Sequence, residues 1–133
     1  MSLNNLGAIT MFVDDVERSK AFYERVFAQP MIHEDGNAVA FKFENTIINL
    51  LKNPAAHDLI RPATPGTSDD GSRFQLTIEV DDADAVCKEL TSRGVALLNG
   101  PMDRPWGLRT ASFMDPDGHI WEVASSLRPK KVP

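Results

Sequence analysis

The residues of this chain that could take part in chemistry cluster near its end, in two short strands and the turn that joins them. The turn, DPDGH at residues 115–119, has a proline that presets one dihedral and a glycine that supplies the positive φ of a hairpin loop. In the next strand Glu122 and Trp121 face opposite sides, because successive side chains alternate. Glu122 is thus a candidate general base for taking a proton next to a carbonyl. The alternative is a structural carboxylate that pairs with Gln75 or Arg109.

A second group lies in the loop before these strands. Trp106 sits between a proline and a glycine, where an indole could form a flat wall for an aromatic or cationic ligand. It could equally be a loop anchor packed on the core. Arg104 and Arg109 could bind a carboxylate or phosphate, and the alternative is a pairing of at least one of them with Asp103 or Asp115.

Composition and charge narrow the class of protein. The chain has 133 residues, 42% of them apolar and 25% charged, which is enough for one domain or for two small modules that share a core. It contains no apolar run near the roughly 20 residues of a membrane span. A net charge of −5, with no basic cluster beyond Lys130-Lys131, argues against nucleic acid. The charge instead favours a small molecule or another copy of the chain as partner. The single cysteine and the absence of a signal-peptide pattern favour a cytoplasmic protein.

The elements that must position these residues occur twice in the same order. Val13-Asp14-Asp15 and Val80-Asp81-Asp82 each close a strand and open a helix. We predict an α+β fold of two βαβββ modules, with mixed sheets curled around a groove. Module 1 spans about 6–51, a proline-rich linker or lid spans 52–72, module 2 spans about 73–125 and a tail follows in 126–133. The predicted strands are 6–13, 31–34, 38–43, 46–51, 74–80, 95–98, 108–114 and 120–124, the helices are 16–27 and 83–93, and one turn of helix is expected in 55–60.

One face of the predicted strands is polar where it would line the groove. In the second module this face carries Gln75, Thr77 and Glu79, and Asn49 and Glu122 occupy equivalent points of the two closing strands. A row of polar side chains on one face needs water, a partner or a ligand, although a solvated face could account for each one singly. The predicted site has Glu122 as its catalytic residue and as substrate-binding residues Phe12, Asn49, Gln75, Thr77, Trp106 and Arg109.

The sequence resembles the vicinal oxygen chelate superfamily, which includes glyoxalase I, extradiol dioxygenases and bleomycin resistance proteins. The resemblance covers residues 7–125. It is carried by ITMFVDDVERSKAFYERVF at 9–27, its counterpart LTIEVDDADAVCKELTSRG at 76–94, and DRPWGLRTASFMDPDGHIWEV at 103–123. Together these segments indicate the superfamily but do not identify an activity.

The resemblance implies a metal ligand, usually His or Glu, on the first and last strands of each module. Those positions fall on Ala8, Asn49, Gln75 and Glu122. Only Glu122 is of a residue type that the superfamily uses, and neutral amides are weak donors for Zn²⁺ or Fe²⁺. We therefore expect no cofactor, and the alternative is a divalent metal held through Glu122.

The resemblance also implies a function. The first expectation is a protein that binds a small organic molecule in the groove between the modules, as bleomycin-resistance proteins do by sequestration, and the acidic chain would suit a cationic ligand. The alternative is a lactoylglutathione-lyase-like enzyme, a lyase or isomerase with an atypical metal shell or with Glu122 as general base. A third possibility is an interaction module with a vestigial groove. Members of the superfamily commonly pair, so we expect a homodimer.

Overall fold

The structure, a computed structural model, describes residues 3–127. Up to Gly71 the chain forms a first compact unit and from Ser72 a second. Each unit is built on one four-stranded mixed sheet, and the order strand, helix, three strands occurs in both. The predicted α+β class and the duplicated βαβββ arrangement are confirmed. Of the predicted tail, residue 126 belongs to the last strand, whereas 128–133 lie outside the described residues.

The first unit consists of β1 (Ile9–Val13), α1 (Val16–Val26), β2 (Met31–Glu34), β3 (Ala38–Lys42), β4 (Ile47–Lys52) and α2 (Asn53–Ile60). Its strands lie in the order β1-β4-β3-β2, with β1 parallel to β4. Helix α1 begins where predicted because the Asp15 side chain accepts from the backbone N–H of Arg18. Its Phe22, Tyr23 and Val26 are buried and form one side of the core.

The predicted linker is more ordered than expected. Instead of one turn within 55–60, α2 spans eight residues, Asn53–Ile60. Pro54 lies in its first turn, where a missing N–H breaks no helical hydrogen bond. The prolines of this segment predict a loop, but a proline at this position is compatible with a helix.

The second unit consists of β5 (Gln75–Glu79), α3 (Ala83–Ser92), β6 (Leu97–Asp103), β7 (Leu108–Met114) and β8 (Ile120–Ser126). Its strand order is β5-β8-β7-β6, with β5 parallel to β8. Helix α3 is capped by Asp82, which accepts from Ala85 N–H. It buries Ala83, Cys87 and Leu90, whereas Val86 is only half-buried.

Strand β6 is longer than the predicted strand 95–98, which ended before Gly100-Pro101. The register between β6 and β7 shifts twice around these residues, and Gly100 has a φ of +83°. A Cβ atom on Gly100 would lie 2.3 Å from the carbonyl oxygen of Thr110. The absence of a side chain therefore lets β6 bulge and continue to Asp103.

None of the helices within residues 3–127 combines the length and the apolar character that crossing a membrane would require.

Candidate functional site

The face of the second sheet that lies away from α3, called here its distal face, carries one row of polar side chains across all four strands. The strand register places Thr77 beside Glu122, Glu122 beside Ser112, and Ser112 beside Asn99. Residues paired across strands point to the same face. Trp121 points the other way and is only 2% exposed, which confirms the predicted alternation around Glu122.

Glu122 is held by its neighbour in the row. The Thr77 hydroxyl donates a hydrogen bond to Glu122 Oε1 at 3.0 Å. Within residues 3–127 neither Gln75 nor Arg109, the two predicted partners, hydrogen-bonds to Glu122, and its second oxygen, Oε2, makes no hydrogen bond. One oxygen thus orients the carboxylate, and the other can accept a hydrogen bond or a proton from a bound molecule.

The first sheet repeats this arrangement on its own distal face, which lies away from α1. Thr10 is beside Asn49, Asn49 beside Ala40, and Ala40 beside His33. Asn49 Nδ2 donates to Thr10 Oγ1 at 3.4 Å. The register therefore confirms that Asn49 and Glu122 occupy equivalent positions, each beside a threonine of the parallel neighbouring strand.

The remaining predicted residues take up different surroundings. Phe12 lies two residues after Thr10 on the same face and is half-buried, whereas Gln75 is exposed at the start of β5. Trp106 lies in the turn between β6 and β7 and is 64% exposed. Its ring centroid is 5.8 Å from the guanidinium carbon of Arg104. The exposed indole is not packed in the core, so the alternative of a core anchor does not hold.

Arg109 lies on the opposite side of the second sheet from Glu122. Its Nε and Nη2 donate to the two carboxylate oxygens of Asp84, on α3, at 2.9 and 3.0 Å, and its Nη1 donates to Asp103 at 2.7 Å. These hydrogen bonds raise the pKa of Arg109, and the bond from Arg109 lowers the pKa of Asp84. The expected pairing with Asp103 is confirmed. The structure therefore does not bring Arg109 together with the other predicted residues of the second module.

Two further residues complete the distal face of the second sheet: Arg104, predicted as a possible carboxylate or phosphate ligand, and Ser112, which was not predicted. Arg104 Nε donates to Thr110 Oγ1 at 2.9 Å, and Arg104 Nη2 donates to Asn99 Oδ1 at 3.3 Å. Ser112 is 6% exposed. The alternation of residues 108–114 places Thr110 and Ser112 on one face. This alternation is the sequence signal that could have identified Ser112.

A pocket of about 510 Å³ adjoins the row, and its lining belongs entirely to the second unit. Its volume is within the range of sites for small organic molecules. The lining combines carboxylates with apolar side chains. It consists of Thr77, Glu79, Val80, Asp81, Leu108, Ala124 and Ser126.

The positions at which the resemblance predicts metal ligands offer poor donors. Ala8 cannot coordinate, Asn49 and Gln75 are neutral amides, and Glu122 already accepts from Thr77. Across residues 3–127, no three His, Cys, Asp or Glu side chains are grouped so that they could hold a metal ion. Transition metals favour imidazole, thiolate and carboxylate ligands, so these residues do not fit one.

Comparison with known proteins identifies relatives along almost the whole chain. The model of the glyoxalase-like domain family matches residues 6–128. The metallothiol transferase FosB of Lysinibacillus sphaericus is 27% identical over 125 residues, which are 92% of this chain and 82% of that protein.

Solved structures show the same fold. A glyoxalase/bleomycin resistance protein/dioxygenase from Nocardioides has a TM-score of 0.86 at 19% identity, over 100% of this chain and 92% of that one. TnmS3, an antibiotic binding protein from a Streptomyces species, has a TM-score of 0.71 at 26% identity, over 95% of this chain and 98% of that one.

Proposed function

We propose a function from one premise: this chain belongs to the glyoxalase-like domain family. The function is the binding of a small organic molecule, without a transition metal, on a surface that includes the distal face of the second sheet. The observation that carries this proposal is the pocket of about 510 Å³ beside the row that contains Glu122. A polar row of this kind fixes the orientation of a ligand, while the apolar part of the lining supplies contact area.

The similarity to TnmS3 supports binding as the function. That protein is described as antibiotic binding, and it aligns with 95% of this chain at 26% identity. The poor donor set at the predicted ligand positions points in the same direction, because a binding protein needs no Lewis acid.

A thermal-shift screen of aromatic and heterocyclic compounds tests the proposal, with each hit confirmed by calorimetry. We expect hits to quench tryptophan fluorescence in the wild type. This quenching should disappear in Trp106→Phe, which leaves Trp121 as its only tryptophan, 2% exposed. The complementary Trp121→Phe protein should keep the quenching. A screen in which no compound raises the melting temperature would contradict the proposal.

The proposed independence from metals has its own test. Elemental analysis of untagged protein should find less than about 0.1 transition-metal ion per chain, because a filled site requires near-stoichiometric metal. Full occupancy that survives dialysis against a chelator would refute it.

A second candidate function is an enzyme in which Glu122 acts as general base. The Oε2 oxygen of Glu122, which accepts no hydrogen bond from residues 3–127, favours it, since Glu122 is bonded to Thr77 and Thr77 lines the pocket. The relative FosB is named a transferase. If a substrate is found, Glu122→Gln should lower kcat about 100-fold. Glu89→Gln, on α3 and paired with Arg93, is the matched control. Full activity of Glu122→Gln would exclude this candidate.

We also propose that the chain forms a homodimer, as expected for the superfamily. Light scattering at micromolar concentration should give twice the mass of the 14.7 kDa chain. A monomer at all concentrations would contradict this proposal.

A further inference from the structure

Arg104 differs from the other arginine of its sheet in having only neutral partners. Its two side-chain hydrogen bonds go to a hydroxyl and an amide oxygen, on Thr110 and Asn99. No carboxylate within residues 3–127 forms an ion pair with it. A guanidinium has five N–H donors, so three remain for an external acceptor. The neutral partners fix the direction of the group without cancelling its charge.

Ser112 lies next to both partners of Arg104. It is paired with Asn99 in the register and is two residues from Thr110 on the same face of β7. The residue is 6% exposed, and its hydroxyl makes no hydrogen bond with any described residue. A hydroxyl without an internal partner can donate to a ligand without breaking an internal bond.

Trp106 adds an aromatic surface to the same place. The indole is 64% exposed and stacks near the Arg104 guanidinium. A ligand acid group at Arg104 would bring an attached ring to the indole, where ring stacking adds to the binding energy. Glu122, on the other side of Ser112 in the row, would repel an acid group and so orients it toward Arg104.

We infer that Arg104, Ser112 and Trp106 form a subsite for the carboxylate of a small aromatic acid. This inference rests on the proposed function and specifies the ligand class. It also departs from the cationic ligand suggested by the net charge of −5, because Arg104 is the one charged residue among the three that form the subsite. A ligand that also carries a hydrogen-bond donor could engage Glu122 at its other end.

Calorimetric titration with 2-naphthoate and with the uncharged 2-naphthalenemethanol tests the subsite. Arg104→Gln should weaken 2-naphthoate about 10- to 100-fold, the range for hydrogen bonds to charged groups, and should change the alcohol less than about two-fold. Arg104→Lys should recover part of the loss, since lysine keeps the charge but not the forked geometry. Ser112→Ala should weaken 2-naphthoate several-fold.

The matched control is Arg93→Gln, in the same unit, where Arg93 pairs with Glu89 on α3. This variant should bind both probes like the wild type. The subsite is refuted if the wild type does not bind 2-naphthoate, or if Arg104→Gln weakens both probes equally or neither. In those cases hits from the broad screen would still uphold small-molecule binding, whereas an empty screen would remove both proposals.

Discussion

Each sheet carries one row of four residues across its distal face. The two rows occupy corresponding strand positions, and three of the four residues differ between them. The first row is Thr10, Asn49, Ala40 and His33, and the second row is Thr77, Glu122, Ser112 and Asn99. Only the threonine is the same. In the first sheet it accepts a hydrogen bond from Asn49, and in the second it donates one to Glu122. A hydroxyl can do either, so one framework accommodates an amide or a carboxylate.

The two units share their strand pairing and differ in the side chains of their distal faces. The pairing of strands is the same in both sheets, because it depends on backbone hydrogen bonds and on the buried face. The pairing does not decide which side chains the distal face carries. The second row has a carboxylate and a hydroxyl where the first has an amide and a methyl group, and the second unit is where we place the ligand.

Gly100→Ala should cause the largest loss of stability, because the bulge of β6 in the second sheet depends on Gly100. The new Cβ atom would lie 2.3 Å from Thr110 O and 2.8 Å from Ala111 Cα, and Gly100 has a positive φ. We expect a loss of about 3 kcal/mol or more in the free energy of unfolding, measured by urea denaturation. Gly36→Ala, in the first unit, is the control, since nothing lies within 4 Å of its Cβ position. Equal stability of the two variants would contradict the role of the bulge.

Asp115→Ala should cause the next largest loss of stability. Asp115 lies in a turn where its side chain is buried, and Asp35 provides the comparison with an exposed side chain. The Asp115 carboxylate accepts from the backbone N–H groups of Asp117 and His119 and contacts the His119 ring at 2.8 Å. Its side chain is fully buried. Removal should cost about 2–3 kcal/mol, because buried donors lose their acceptor. Asp35, in the turn between β2 and β3 of the first unit, also accepts from two backbone N–H groups and contacts a histidine ring, but it is exposed. Asp35→Ala should therefore cost clearly less, and an equal or larger loss would refute the argument.

The same turn makes stability depend on pH. Burial lowers the pKa of His119, but the hydrogen bond to Asp115 and the charges of Asp115 and Asp117 outweigh it and raise the pKa above 6.5. The folded state thus favours the protonated ring. This contribution is complete below about pH 6.5, the unfolded value, and is lost as the pH rises through the folded pKa. The stability difference between wild type and His119→Gln, measured in urea, should shrink between pH 5.5 and 8.5. A difference that grows with pH would contradict the assignment.

The sequence predicted the alternation of faces well, because a strand has a period of two whatever its neighbours are. This is why Thr77, Glu122 and Asn49 lie on the strand faces where they were expected. It could not predict partners that are distant in the chain. Arg109 was assigned to the site because of its residue type, and its placement depends on Asp84, 25 positions away on α3.

The glycine and the proline at positions 100 and 101 were ambiguous signals for the end of a strand. Gly100 and Pro101 usually end a strand, and here they form a bulge through which β6 continues. The extra length of β6 brings Asn99 beside Ser112 and places Arg104 over both strands. The alternation of β7 indicates the face on which Ser112 lies, but its pairing with Asn99 depends on the register of β6.

Ser112→Ala should have the smallest effect on stability and the most specific effect on binding. It gives the second row the methyl group that the first row has at Ala40. Because the Ser112 hydroxyl bonds to no described residue, the free energy of unfolding should change by less than about 0.5 kcal/mol. Ser125 is equally buried, at 6% exposed, but it accepts from the Ala83 N–H at the start of α3. Ser125→Ala should therefore cost about 1 kcal/mol or more. If both serines prove equally costly to remove, Ser112 has an internal role and is not a free donor for a ligand.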